Sequence, residues 1–168
     1  IDVLKERSIA SYGGSKSFIN NIENSYIGDW ERRGKYLIGS LNTKDKISKG
    51  FLVVHLRMTG QFKLINKQTL PCTHTRVRFF GEGNKELRFI DIRNFGQMWY
   101  VGSEESVADT VSGIKRLGPE PFSTDFNSSY LKEYLKKKTR SIKSALLDQE
   151  TVAGVGNIYA DETLFDAG

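Results

Sequence analysis

Between Tyr36 and Val101 the chain carries five short stretches rich in β-branched and aromatic residues, each closed by a polar or glycine-containing cluster. That spacing constrains the fold more than any other feature. The stretches are Tyr36 to Leu41, Gly50 to Leu56, Thr75 to Phe80, Glu86 to Asp91 and Gly96 to Val101. Segments of about six such residues suit strands and are too short for independent helices. Asn42-Thr43-Lys44-Asp45, Asn66-Lys67-Gln68-Thr69 and Gly81-Glu82-Gly83-Asn84-Lys85 separate them, and the last is well suited to a hairpin. Strands at this spacing predict an antiparallel β-sandwich. Ser15 to Ile22 and Glu104 to Lys115 show the apolar spacing of short amphipathic helices. The second opens with two acids, where the helix dipole favours them.

The pattern changes at Leu117-Gly118-Pro119-Glu120-Pro121-Phe122-Ser123, where two prolines punctuate the chain and Ser123, Thr124 and Asp125 offer helix caps. Beyond it the spacing predicts helices over Ser128 to Lys138, Ile142 to Asp148 and Asn157 to Ala167, with Gly154-Val155-Gly156 as a tight turn before the third. The expected class is α+β: an antiparallel sandwich with flanking short helices over residues 1–122, followed by a helical domain over 123–168. No internal repeat is visible.

The length of 168 residues fits one compact domain or one and a half, and 38% hydrophobic with 27% charged residues is ordinary for a globular chain. No stretch approaches the roughly 18 apolar residues of a membrane span, and Ile1-Asp2-Val3-Leu4-Lys5 lacks the form of a signal peptide. A soluble, cytoplasmic protein is the expectation. Cys72 is the only cysteine and His55 and His74 the only histidines, so a closed four-ligand zinc site cannot be assembled from them and a disulfide within the chain is excluded. The balance of 25 Lys+Arg against 20 Asp+Glu, with a pI of about 9.3, leans towards a polyanionic partner, and the distribution of charge weighs more than its sum.

Lys132-Glu133-Tyr134-Leu135-Lys136-Lys137-Lys138-Thr139-Arg140-Ser141-Ile142-Lys143 sets six cations against one acid. A solvated helix face explains such a run as well as a function does. Its position ahead of Gly154-Val155-Gly156-Asn157 strengthens the functional alternative, because glycines permit close approach and a helix N-terminus presents N–H groups to an anion. Glu31-Arg32-Arg33-Gly34-Lys35-Tyr36 gathers cations around a glycine before a strand, either as an edge-protecting cluster or to aim Lys35 at a phosphate. His55-Leu56-Arg57-Met58-Thr59-Gly60 and Asp91-Ile92-Arg93-Asn94-Phe95-Gly96 each end a strand in a turn. Met58 there is either core filler or a wedge for a base stack, while Arg93 can read a base edge and Phe95 can stack. No Ser-His-Asp or Cys-His nucleophile arrangement is present. The residues alone define a basic nucleic-acid binder with protruding turns.

These segments, together with Leu117-Gly118-Pro119-Glu120-Pro121 and the block Ile142-Lys143-Ser144-Ala145-Leu146-Leu147-Asp148-Gln149 running into Val152-Ala153-Gly154-Val155-Gly156-Asn157-Ile158-Tyr159-Ala160-Asp161-Glu162, closely resemble one family. It is the formamidopyrimidine-DNA glycosylases, relatives of endonuclease VIII, which excise oxidised bases and nick the abasic strand. The last block resembles the family's helix-two-turn-helix. The resemblance implies that Met58, Arg93 and Phe95 fill the gap left by a flipped-out nucleotide, Arg93 pairing with the orphaned base and Phe95 wedging beside it. Separate Met and Arg/Phe turns resemble the formamidopyrimidine branch, since endonuclease VIII draws its inserting residues from one loop. Lys35 is implied in phosphate contact and strand elimination. Asn157, Lys143 and one of Lys137 or Lys138 are implied in gripping the kinked backbone. Cys72 stands where a DNA-contacting histidine is common, and His74 follows two positions later.

The family's catalytic N-terminal proline, which forms a Schiff base with the sugar, and its neighbouring glutamate have no counterpart in the 168 residues; nor has its C-terminal four-cysteine zinc finger. The expectation is a monomeric piece of a bifunctional glycosylase and abasic-site lyase acting on double-stranded DNA with oxidised purines or abasic sites. Alone it would not excise a base, and its Zn2+ would belong to the missing finger. A non-catalytic damaged-DNA-binding module, or a degenerate paralogue, is the rival from another class; an RNA-gripping ribosome-associated protein is a weaker third.

Overall fold

Every one of the five expected strands forms in the computed structural model, which describes residues 1–136 and 138–168. In chain order the strands are β1 (Asp2–Val3), β2 (Tyr26–Arg33), β3 (Tyr36–Asn42), β4 (Ser48–His55), β5 (Gly60–Asn66), β6 (Thr75–Phe80), β7 (Lys85–Asp91) and β8 (Gln97–Gly102). The helices are α1 (Gly14–Ile22), α2 (Val107–Thr110), α3 (Ser112–Lys115), α4 (Ser128–Lys136), α5 (Ile142–Leu147) and α6 (Asn157–Asp166), with a 3-10 turn at Glu6–Ser8. The class is α+β, as its alternating strands and later helices require. Two compact units result: Ile1–Glu31 with Tyr36–Thr110, and Arg32–Lys35 with Val111–Gly168.

In the first unit one four-stranded sheet runs β1-β6-β7-β5 and the other β2-β3-β4-β8. Inward side chains of both sheets and of α1 make one core of Phe18, Ile22, Leu41, Leu52, Val54, Val77, Phe79, Phe89 and Met98. Removing such side chains from water drives the packing at roughly 25 cal/mol per Å² of apolar surface. The register places Gly60 opposite Asp91 and His55 opposite Gln97, so the last residues of β4 and β7 and the first of β5 and β8 border the two connecting turns.

Charge is also buried here, and it is paired. Glu86 and Arg88 are both 1% exposed. Glu86 accepts from Arg88 Nε and from Arg78 Nε (2.9 Å) and Nη2 (2.8 Å), while Arg88 donates onward to the carbonyls of Leu70 (3.1 Å) and Thr69. Arg78 holds the Glu86 carboxyl below its ordinary pKa against the opposing effect of burial. Buried ions without such partners would cost several kcal/mol each.

In the second unit, Ala145, Leu146, Val152, Ala153 and Ala160 are buried. Tyr130 Oη donates to the Thr151 carbonyl at 3.0 Å, which fastens α4 to the segment before α6.

Three local expectations need correction. The single helix over Glu104 to Lys115 is two four-residue helices, because Val111 leaves helical geometry (φ −107°, ψ 87°) between them. Glu105 lies ahead of both and accepts from Gly102 N at 2.7 Å. The cap of α4 is Asn127, not Ser123, Thr124 or Asp125: its Oδ1 accepts from Tyr130 N at 3.0 Å, giving the free amide of the first turn a partner. Finally, β1, β2 and β5 lie outside the five expected strands. The β2 sequence, with Gly28, Asp29, Glu31 and two arginines, has low strand propensity and is exposed nearly throughout.

Candidate nucleic-acid interface

Two turns of the first unit are built around a single buried carboxylate. Asp91, fully buried at the end of β7, accepts from Phe95 N (2.8 Å) and Gly96 N (2.7 Å) through Oδ2, and from Thr59 Oγ1 through Oδ1. Burial alone would raise its pKa, and the hydrogen bonds from Thr59, Gly96, Phe95 and Asn94 more than reverse that, leaving it below the ordinary value. Thr59 Oγ1 in turn accepts from Arg93 N at 3.0 Å, so the 56–59 turn and the 92–96 turn share one hydrogen-bonded knot. Arg76, 6% exposed, pins the same corner by donating to the carbonyls of Asp91 (2.7 Å), Ile92 (3.3 Å) and Thr73 (3.2 Å).

Each turn holds one non-glycine residue in the left-handed region, Arg57 (φ 57°) and Asn94 (φ 55°). Such backbone is sustained only where its surroundings over-determine it. Here His55 Nδ1 accepts from Arg57 N at 3.0 Å, and Ser8 Oγ donates to Asn94 Oδ1 at 3.3 Å. Gly96 is required at its place because a Cβ there would come within 2.4 Å of the Phe89 ring.

Met58, Arg93 and Phe95 are brought together at the tips. Arg93 Nη1 lies 2.7 Å from Met58 Sδ, and its guanidinium stands 5.0 Å from the Phe95 ring centroid. Met58 is 73% and Phe95 40% exposed. An unbranched thioether, an aromatic ring and a fork of donors, all presented outward on a rigid base, can occupy a space the size of one nucleotide and hydrogen-bond a base edge. Arg7 flanks the same ring, its guanidinium 5.3 Å from the centroid; nothing in its local sequence announces this. His74 is exposed nearby in the chain path, its carbonyl accepting from Asp91 N at 3.0 Å. Cys72 is exposed as well, and its thiol is held below the ordinary pKa chiefly by a hydrogen bond with Thr75 Oγ1 (3.4 Å).

The second unit assembles around Glu120. Gly34 N donates to Glu120 Oε1 at 2.6 Å, Arg33 Nη1 donates to the same oxygen at 2.8 Å, and Arg32 Nη2 lies 3.1 Å from Oε2. Arg33 Nη2 also donates to the carbonyls of Leu117 (3.1 Å) and Gly118 (2.7 Å). Gly34 sits at φ 57°, in a place where a Cβ would press Leu117 Cδ1 at 3.0 Å, so neither its backbone nor its surroundings admit a side chain. Lys35 follows. Its Nζ reaches 3.9 Å from the point a Gly156 Cβ would occupy, beside the corner that leads into α6. Partial desolvation lowers the Lys35 pKa from the ordinary lysine value.

Gln149 shapes that corner by donating to the carbonyls of Leu147 and Val155 (both 2.9 Å) and accepting from Gly154 N at 3.0 Å. Asn157 is exposed at the first position of α6, whose N-cap Gly156 supplies no side chain, so the positive end of the helix faces outward. Lys143, on α5, pairs with Asp161 on α6 at 2.5 Å. Lys138 places its ammonium 4.6 Å from the Tyr134 ring centroid, and Lys137 lies outside the described residues. Much of the basic run therefore has local partners, Lys136 with Glu133 at 2.5 Å and Arg140 with Asp148 at 2.7 Å. Among the described residues no three His, Cys, Asp or Glu side chains come together as a metal site. Among the described residues no helix is long and apolar enough to cross a membrane.

Known proteins share this fold. The model of the formamidopyrimidine-DNA glycosylase N-terminal domain matches residues 1–98, and that of the formamidopyrimidine-DNA glycosylase H2TH domain matches residues 117–168. The chain belongs to the formamidopyrimidine-DNA glycosylase family. Among its relatives, the formamidopyrimidine-DNA glycosylase of Prochlorococcus marinus strain NATL1A is 82% identical over the whole chain, and that of Parasynechococcus marenigrum strain WH8102 is 51% identical. The chain spans 60% and 59% of the length of these two relatives. A Lactococcus lactis Fpg solved with DNA containing Fapy-dG superimposes with a TM-score of 0.83 at 31% identity, covering 97% of this chain and 58% of that one. The Lactococcus lactis Fpg in complex with abasic-site DNA also has a TM-score of 0.83, at 30% identity, over 97% of this chain and 56% of its own.

Proposed function

We propose that the protein carrying this chain is a base-excision repair DNA glycosylase and abasic-site lyase. It flips out oxidised purines, 8-oxoguanine and formamidopyrimidines, removes them, and nicks the abasic strand by Schiff-base β-elimination. The observation that supports this best is the exposed cluster of Met58, Arg93 and Phe95, in which Arg93 touches the thioether at 2.7 Å and stands over the ring at 5.0 Å. The relatives' name and the neighbours' complexes with Fapy-dG and abasic-site DNA point the same way.

In this mechanism the three tips enter the duplex where the damaged nucleotide leaves, and Arg93 donates to the base left behind. Lys35, Asn157, Lys143, His74 and one of Lys137 or Lys138 hold backbone phosphates, and the α6 N-terminus adds its positive dipole end. A lysine of lowered pKa beside the sugar-phosphate also gives up its proton more readily than an ordinary lysine, which suits Lys35 to the elimination step. The nucleophile is a secondary amine outside these residues, and a zinc finger, also outside them, completes the DNA grip. The protein works as a monomer in the bacterial cytoplasm, on the nucleoid.

Borohydride reduction of the full-length protein with abasic duplex DNA tests this. A covalent adduct trapped at the Schiff base is the expected result. Saturating protein that binds the duplex and leaves no adduct overturns the enzymatic assignment in favour of a binding module.

A further inference from the structure

We propose that Thr59 and Asp91 form a latch that locks the Met58 turn to the Arg93–Phe95 turn, so that Thr59 is a positioning residue for the choice of the base opposite the lesion. This rests on the function proposed above for the three tips. The two turns are distant in sequence, leaving β4 and β7 respectively, and each is one short loop on a sheet end. A loop of that kind would move independently unless something held it.

The Thr59 hydroxyl is placed to do so with both of its capacities. It has one proton to donate, and Asp91 Oδ1, an ionised acceptor, takes it. The oxygen lone pair then faces Arg93 N, which donates at 3.0 Å. Asp91 Oδ2 simultaneously fixes Phe95 N and Gly96 N at 2.8 and 2.7 Å. One hydroxyl and one carboxylate thereby set the backbone of Arg93 and of Phe95 from the same point that fixes the residue after Met58. Neither latch residue reaches outward: Asp91 is fully buried and Thr59 half-buried, while the tips they govern are exposed.

Placing a guanidinium so that both donors meet a base edge demands such a base. A displacement of under 1 Å converts a two-bond contact into one bond or none, and the penalty falls on discrimination between bases more than on overall affinity, which phosphates dominate.

The experiment uses the full-length protein and two duplexes carrying a tetrahydrofuran abasic analogue, which cannot form a Schiff base, opposite cytosine or opposite adenine. The readout is the ratio of the two dissociation constants. Thr59→Val, which keeps volume and removes the hydroxyl, is expected to lower that ratio about fivefold or more, the low end of a lost bidentate base contact. Thr59→Ser, which keeps the hydroxyl, is expected to retain the ratio. Asp91→Asn supplies a second arm with a shift in the same direction. A purely structural Thr59 would lower the melting temperature and weaken both duplexes equally, so an unchanged ratio in Thr59→Val overturns the latch. A wild-type protein that binds the two duplexes alike overturns the role given to the tips and the latch with it, an outcome visible before any variant is made.

Discussion

Gly34 N donates to the Glu120 carboxylate at 2.6 Å, so the tip of the β2–β3 hairpin and the proline-rich segment are one structure. That carboxylate also receives Arg33 at 2.8 Å, and burial's tendency to raise its pKa is outweighed by these donors. Glu120→Ala leaves a half-buried guanidinium and a backbone N–H without their acceptor. Hydrogen bonds to charged groups contribute about 1.5–3 kcal/mol each, and loss of about 2–4 kcal/mol of stability in urea unfolding is the expected cost. Lys35 is adjacent, so strand nicking by the full-length protein should slow as well. A variant with wild-type stability contradicts the anchoring role.

Arg93→Ala removes the only donor fork in the three-residue cluster. The expected effect is a loss of about 1–3 kcal/mol in discrimination of the base opposite the lesion, with far less change in affinity for undamaged duplex. Competition binding with the four possible opposite bases measures it. An unaltered preference would assign base reading elsewhere.

Acid should loosen the two turns. The Asp91 pKa is depressed in the folded chain, so its stabilising contribution is fully present above the unfolded value of about 3.9 and is lost as the pH falls through the folded value. Glu86 and Glu120 are depressed too and act with the same sign. Asp91→Asn is expected to be less stable at neutral pH and to show a shallower decline below about pH 4 in thermal melts. A decline as steep as that of wild type would mean that Asp91 carries none of the acid limb.

Lys143 meets Asp161 at 2.5 Å on the surface, and exposed pairs of this kind contribute only about 0–1 kcal/mol. A phosphate can replace the carboxylate at little cost. Asp161→Asn should therefore tighten DNA binding and steepen its dependence on salt, whereas Lys143→Ala should reduce the slope of log affinity against log salt by about one. Identical slopes in both variants would remove Lys143 from the clamp.

Much of the fold was legible in the residues, because β3, β4, β6, β7 and β8 combine strand-forming side chains with clear separators. β2 and β5 were not, since Gly28, Asp29, Lys63 and Asn66 read as polar surface, and what makes them strands is the neighbour they pair with. The exposed tips were legible as well: Met58, Arg93 and Phe95 announce themselves as long or aromatic side chains on turns. Their supports did not. Asp91 reads as a turn former until its backbone donors are located, Arg76 reads as one more strand cation until its carbonyl partners are seen, and Gln149 carries no local signal for the corner it shapes. In the basic run Glu133 is visible as the one internal acid, but a charge count cannot reveal that Asp148 and Asp161, from outside it, come back to meet Arg140 and Lys143.

Residues 32–35 belong to the second unit although the first surrounds them in the chain. Genetic dissection at a single point is thereby defeated. A C-terminal piece starting at Val111 would leave Glu120 facing solvent with no Arg32, Arg33 or Gly34 to receive, and an N-terminal piece ending at Thr110 would carry those two arginines bare. Either half, expressed by itself, would be missing part of what folds it, so activity or binding assigned from such halves would describe the severed ends.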